Sequence, residues 1–183
     1  MNFIPTKLEG CIVIEPKIFN DERGYFLESY NENTFQNGIG LPVRFVQDNQ
    51  SYSTKGVLRG LHYQTAENAQ AKLVRVLQGE VLDVVVDIRP DSKTFGEHVS
   101  VLLSAENQKQ LFIPRGFAHG FLVVSDTATF FYKCDNFYNK ESEGGLIYND
   151  PSLNIDWKFP EEALVISQKD RILPTIENAK KAW

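Results

Sequence analysis

A chain of 183 residues with 42% hydrophobic and 23% charged residues has the composition of one globular domain and excludes a disordered or fibrous protein. Its net charge of −5 excludes broad nucleic-acid binding but leaves room for a local basic pocket that holds a phosphate. Cys11 and Cys134, the only cysteines, exclude a disulfide framework, and no apolar run approaches the ~20 residues that cross a bilayer. Met1–Lys7 lacks a basic segment followed by an apolar core, so the cytoplasm is the expected compartment, with no membrane partner.

Along the chain, short apolar or alternating runs predict strands at Cys11–Glu15, Gly24–Tyr30, Arg44–Asp48, Val57–Tyr63, Leu73–Leu77 and Val81–Ile88. Further strands are predicted at His98–Leu103, Gln110–Ile113, His119–Val124 and Thr127–Tyr132. A short helical turn is expected over Asn31–Gln36, ended by Gly38, and a terminal helix over Thr175–Trp183. Gln78-Gly79-Glu80 reads as a hairpin turn, and Arg89–Ser92 and Asn149–Pro151 read as loops. Many short strands at close spacing predict a mainly β barrel or two-sheet jelly roll, formed by residues 1–183 as one domain. Asp83 and Asp87 alternate within Val81–Ile88 and read as the polar side of a half-buried strand.

Three histidines are available for chemistry: His62, His98 and His119. Five residues separate Gly56 from His62-Tyr63-Gln64, six separate Lys72 from Gly79, and Pro114-Arg115-Gly116-Phe117-Ala118-His119 comes later. These segments resemble the two halves of the cupin barrel signature, whose slots hold one metal ion. Here the slots read His62, Gln64, Lys72 and His119. An ammonium has no lone pair for a metal, so Lys72 places a positive charge where an ion would sit. Such a charge in a pocket stabilises the oxyanion formed when a C–H beside a carbonyl loses its proton. A histidine of ordinary pKa, ~6.5, is suited to taking that proton. Tyr132, within Phe130-Phe131-Tyr132-Lys133, is a candidate to return one; taken alone it reads as a core tyrosine. His98 fits no motif and reads as structural.

Five segments carry a closer resemblance. Arg59–Gln64, Pro114–Phe121, Asp21–Phe26, Tyr132–Tyr138 and Ser167–Asp170 resemble, in order, the dTDP-4-dehydrorhamnose 3,5-epimerase family. The likeness runs from about Gly10 to Pro174. It implies a cupin-like jelly roll without a cofactor or metal, acting on a dTDP-linked 4-keto-6-deoxy hexose. It also implies roles: His62 as base, Asp170 as its partner, Lys72 at the enolate and Tyr132 as acid. By the same resemblance Arg23 and Arg59 contact phosphate and Tyr138 stacks on thymine, while Phe26, Glu28, Gln47, Asn49, His119, Glu143 and Lys169 line the substrate. An N-terminal strand exchanged between subunits, carrying Arg23 into the neighbour's site, implies a homodimer, and an exposed sheet edge gives a physical reason for it. The competing readings are a single-site (C3 or C5) epimerase or a ketoisomerase on this fold, a metal-dependent cupin dioxygenase, and a sugar-binding barrel without turnover.

Overall fold

The computed structural model describes residues 1–182. In chain order the strands are β1 (Asn2–Pro5), β2 (Ile12–Glu15), β3 (Ile18–Asp21) and β4 (Gly24–Leu27). After helix α1 (Glu32–Ile39) come β5 (Gln47–Thr54), β6 (Val57–Gln64), β7 (Lys72–Gln78), β8 (Glu80–Asp87) and β9 (His98–Ser104). The chain continues through β10 (Gln110–Ile113), β11 (Phe117–Val123), β12 (Thr127–Cys134), β13 (Glu143–Gly145), β14 (Val165–Ile166) and helix α2 (Gln168–Arg171).

Two antiparallel sheets face each other. One has the order β1-β2-β10-β7-β12-β5, the other β13-β6-β11-β8-β9, and β14 adds in parallel to β6. The expected mainly β jelly roll is therefore the fold. Strand β8 explains its layering. Val81 and Val85 point into a core shared with Val74 and Val76 of β7, Leu111 and Ile113 of β10, Phe121 of β11 and Phe130 of β12. Leu82, Val84 and Val86 point the other way, onto Leu146, Tyr148, Leu153, Trp157 and Leu164 of the C-terminal segment. A strand covered on both faces reads as a continuous apolar run, which is why Val81–Ile88 stands out in the sequence. The outer face of the other sheet is covered by Phe35 of α1, packed on Ile14, Leu73 and Phe112.

Several expectations change in the structure. Asp83 and Asp87 are not on a half-exposed face: both are fully buried, because β8 has no solvent side. Asp87 survives there by accepting bonds from Ser92 Oγ (2.6 Å), Thr94 Oγ1 (2.7 Å) and Arg89 Nη2 (2.7 Å), contacts that outweigh burial and bring its carboxyl down to about 2. Gly79 is not a hairpin turn, since β7 pairs with β10 and β12 while β8 pairs with β11 and β9. It is the corner where the chain passes from one sheet to the other.

The predicted Arg44–Asp48 strand lies instead at Gln47–Thr54, a polar sheet-edge strand whose pattern has too few apolar residues to read. Helix α1 runs through Gly38 to a left-handed Gly40 (φ 72°), and Gly38 is small because Phe3 packs against it. No long helix forms over the described part of Thr175–Trp183. Only Ile176–Asn178 makes a 3₁₀ turn, while Lys180 O and Ala182 O accept bonds from Tyr63 Oη and Ala66 N, holding the chain extended. Trp183 lies outside the described residues.

Gly79 has φ +76°, and a Cβ on it would stand 1.9 Å from the Thr127 carbonyl oxygen. Gly79→Ala should therefore lower stability by about 2 kcal/mol or more, read as a reduced urea midpoint with an unchanged slope.

Candidate active site

The inner ends of the sheets converge on a cavity of about 550 Å³ lined by Arg59, His62, Lys72, His119, Tyr132, Lys169 and Asp170, with Ser51, Phe121 and Phe130. A second cavity of about 310 Å³ shares His62, Lys72 and Tyr132 and adds Gln47, Asn49, Gln64, Tyr138 and Glu143. The two form a bipartite groove: one half around the histidine, the other edged by an exposed aromatic ring.

Each polar group is delivered by a different element. Strand β6 carries Arg59 and His62, with Leu61 turned outward into the core beneath. Gly60, with φ +122° and no room for a Cβ beside Gly120 and the His119 carbonyl, lets β6 and β11 approach there. Because β14 adds in parallel to β6, Val165 opposite Val57, the following helix α2 arrives beside His62. Ser167 caps α2 by accepting from Asp170 N (3.1 Å), which aims the Asp170 side chain at the barrel. Asp170 Oδ1 then lies 2.7 Å from His62 Nε2, and Asp170 Oδ2 accepts from Gly60 N at 3.3 Å. Burial works against the Asp170 carboxylate, but the His62 contact and the bond from the Gly60 amide hold it below the ordinary carboxylate range.

Lys72 faces the interior from β7, directly opposite Cys134 of β12. Its Nζ lies 5.7 Å from the centre of the Tyr132 ring. Burial pushes the Lys72 ammonium down, against the pull of Cys134, Asp83 and Glu143. Burial pushes the Tyr132 phenol up, so it keeps its proton near neutrality and can donate it. His119 sits across from His62 on the paired strand β11 and is bonded to Asp83 Oδ2 at 2.9 Å. Arg59 Nε donates to Ser53 Oγ (3.1 Å), leaving the rest of its guanidinium at the cavity wall. At the aromatic edge, Tyr138 Oη donates to Glu143 Oε2 (3.3 Å), and Lys169 Nζ pairs with Glu143 Oε1 (2.6 Å).

Of the fourteen residues singled out in the sequence, eleven line these two cavities. Arg23, Phe26 and Glu28 do not. They lie on or just after the β3–β4 hairpin, where Phe26 is 69% exposed and Arg23 pairs only with Asp21 at 2.5 Å. His98 begins β9, outside both cavities. Asp83 lines neither cavity but bonds His119 from behind, a contact that the sequence reading missed: the signal was an aspartate inside an apolar run, which needs a buried partner. Among the described residues no group of three His, Cys, Asp or Glu is placed to hold a metal, and Gln64 spends its carbonyl on Asn139 N (2.9 Å).

A histidine–aspartate pair, a partly buried ammonium and a protonated phenol around one cavity define an enzyme of proton transfer beside a carbonyl, built on a cupin-type barrel. Residues 5–178 match the family described as dTDP-4-dehydrorhamnose 3,5-epimerase. A relative of that description from Shigella flexneri is 56% identical, covering 93% of each chain. The crystal structure of the Elizabethkingia anophelis NUHP1 dTDP-4-dehydrorhamnose 3,5-epimerase is 55% identical with a TM-score of 0.95, covering 100% of this chain and 99% of that one. A dTDP-6-deoxy-D-glucose-3,5-epimerase from Legionella pneumophila Philadelphia 1, solved with dTDP-4-keto-L-rhamnose, is 51% identical with a TM-score of 0.93, covering 97% and 93%. The chain belongs to the dTDP-4-dehydrorhamnose 3,5-epimerase family, a family of isomerases.

Asp170 has its pKa lowered in the folded chain, so its bond to His62 stabilises the fold above the unfolded carboxylate value of about 3.9. That contribution is lost as pH falls from about 4 through the lower folded value. Asp170→Asn should therefore unfold at lower urea than the parent at pH 7, and the gap should close below about pH 4.

Proposed function

We propose that the protein epimerises C3 and C5 of dTDP-4-dehydro-6-deoxy-D-glucose, giving dTDP-4-dehydro-L-rhamnose for dTDP-L-rhamnose synthesis. The observation that carries this reading is the convergence of His62–Asp170, Lys72 and Tyr132 on one cavity. Both carbons flank the C4 ketone, so one oxyanion site serves two inversions. With Asp170 accepting from Nε2–H, His62 Nδ1 is left with the lone pair that removes the proton. The Lys72 ammonium balances the enolate charge that forms on the ketone oxygen, and a low-dielectric floor strengthens that attraction. Tyr132 then gives its proton from the opposite face and inverts the carbon.

The rest of the groove suits the nucleotide. Arg59 offers a planar, permanently charged donor for the pyrophosphate, and Lys169 adds a second positive charge. Tyr138 is 55% exposed beside Gln47 and Asn49, a platform for the thymine ring. The three site residues that stand away from this chain's own groove support a homodimer. The hairpin that carries Arg23 and Phe26 exposes Phe19, Tyr25 and Phe26 together, an apolar surface that a second subunit covers. Arg23 and Phe26 then complete the partner's nucleotide site. No metal or cofactor is required by these steps, and the charge an ion would supply is carried by Lys72.

Incubation with dTDP-4-keto-6-deoxyglucose in deuterated water, followed by proton NMR, should show exchange at both C3 and C5. Exchange at one carbon alone would make the protein a single-site epimerase, and no exchange would remove the reading. His62→Ala should lower exchange at both carbons by about 10³-fold or more while leaving dTDP affinity within about threefold. Arg23→Ala should leave sedimentation as a dimer unchanged and raise KM by about tenfold, the size of one lost charge-assisted phosphate contact.

A further inference from the structure

A second histidine–aspartate pair lies opposite the first. His119 of β11 and His62 of β6 are direct cross-strand partners, and each ring has its Nε2 on an aspartate, at 2.9 Å and 2.7 Å. The proposed proton transfers use only one of these pairs. The other is the more deeply buried, with His119 7% exposed and Asp83 of β8 not exposed at all.

Asp83 is costly where it stands. Its Oδ1 is buried with no hydrogen-bond partner, and only Oδ2 is used. Burial pushes its carboxyl up, and His119 and then Lys72 offset this only in part. Its neighbours inside the barrel are Val81 and Val85, so an apolar residue would give the more stable strand. A buried polar group that a simpler residue could replace at a gain in stability is the pattern expected of a residue kept for function.

The ring it holds cannot turn freely. His119 stacks on Phe130 with centroids 6.0 Å apart and planes 23° apart, and Phe130 stacks on Phe121 at 4.2 Å and 18°. With Nε2 tied to Asp83, the remaining ring nitrogen Nδ1 has no partner among the described residues, and His119 lines the cavity shared with His62 and Lys72. The two carbons beside the ketone differ in what they could offer that nitrogen. C3 carries a hydroxyl, whereas C5 carries a methyl group and the ring oxygen.

We infer that Asp83 is a positioning residue: by accepting from His119 Nε2–H it fixes Nδ1 as the contact for the hydroxyl on C3 of the substrate. The inference rests on the epimerase reading above. Its consequence is an asymmetry between the two inversions. The base, enolate site and acid serve both carbons, while the Asp83–His119 pair orients the sugar for C3.

The test compares deuterium exchange at C3 and C5 in the parent, Asp83→Leu and Asp83→Asn proteins. Asp83→Leu removes the acceptor and should slow C3 exchange by about tenfold or more, with C5 exchange within about threefold of the parent. Asp83→Asn keeps an acceptor oxygen for Nε2–H and should restore C3 exchange to within about threefold. Equal losses at both carbons, or an Asn variant as impaired as the Leu variant, would overturn the proposal, because a merely packing role gives that result.

A measurement without substrate keeps the two readings separable. Long-range proton–nitrogen NMR of the parent, with His119 assigned through His119→Asn, should find Nε2 protonated and slow to exchange. An unprotonated Nε2 overturns the role of Asp83 even if both carbons exchange and even if the Leu variant fails to fold. A parent protein that exchanges neither carbon, with Nε2 protonated, sinks the epimerase reading instead.

Discussion

The bond between His62 and Asp170 spans 108 residues of chain and depends on most of the fold. It exists only because β14 adds in parallel to β6, which brings the short helix α2 to the open end of the barrel. Asp170 is almost fully buried there, and a carboxylate removed from water has to be repaid with hydrogen bonds. His62 and the Gly60 amide supply them. The same contacts set the imidazole's orientation, so the stability of this end of the barrel and the placing of its histidine have one origin.

The barrel sets paired histidines beside a positive charge. Two histidines stand face to face on β6 and β11, and the neighbouring position on β7 carries an ammonium. Each histidine is engaged by an aspartate, each from a different element. A low-dielectric interior makes this arrangement effective: the same partial burial that depresses the Lys72 pKa strengthens its attraction for an anion that forms beside it. Burial also lifts the Tyr132 phenol, on the neighbouring strand β12. One environment thus shifts two neighbouring groups in opposite directions.

Eleven of the fourteen residues singled out in the sequence meet in one groove, and three stand apart from it. Arg59, Lys169, Tyr138 and Glu143 come from this chain, whereas Arg23, Phe26 and Glu28 stand outside the groove, on or beside an exposed hairpin. A hairpin of four-residue strands cannot bury its own apolar side chains, since a two-stranded ribbon has no second layer to rest on. The proposed homodimer would cover that surface and bring Arg23, Phe26 and Glu28 to a groove.

The sequence by itself determined the barrel and most of the residues that line its groove. Apolar runs of strand length marked β2, β6, β7, β8, β10, β11 and β12, because residues facing a core have to be apolar wherever the fold places them. The motif spacing around His62, Lys72 and His119 survived in the sequence because neighbouring positions on a strand fix which side chains share a face. Only the tertiary structure decided the rest. Polar β5 carried too little pattern to read, and the C-terminal segment of regular helical appearance is held extended by bonds from Tyr63 and Ala66. Gly79 became a corner between sheets, and Asp83 turned inward onto His119, since strand spacing says which residues share a face but not what covers it. Pairing between residues as distant as His62 and Asp170 is set by sheet topology, which no local interval along the chain records.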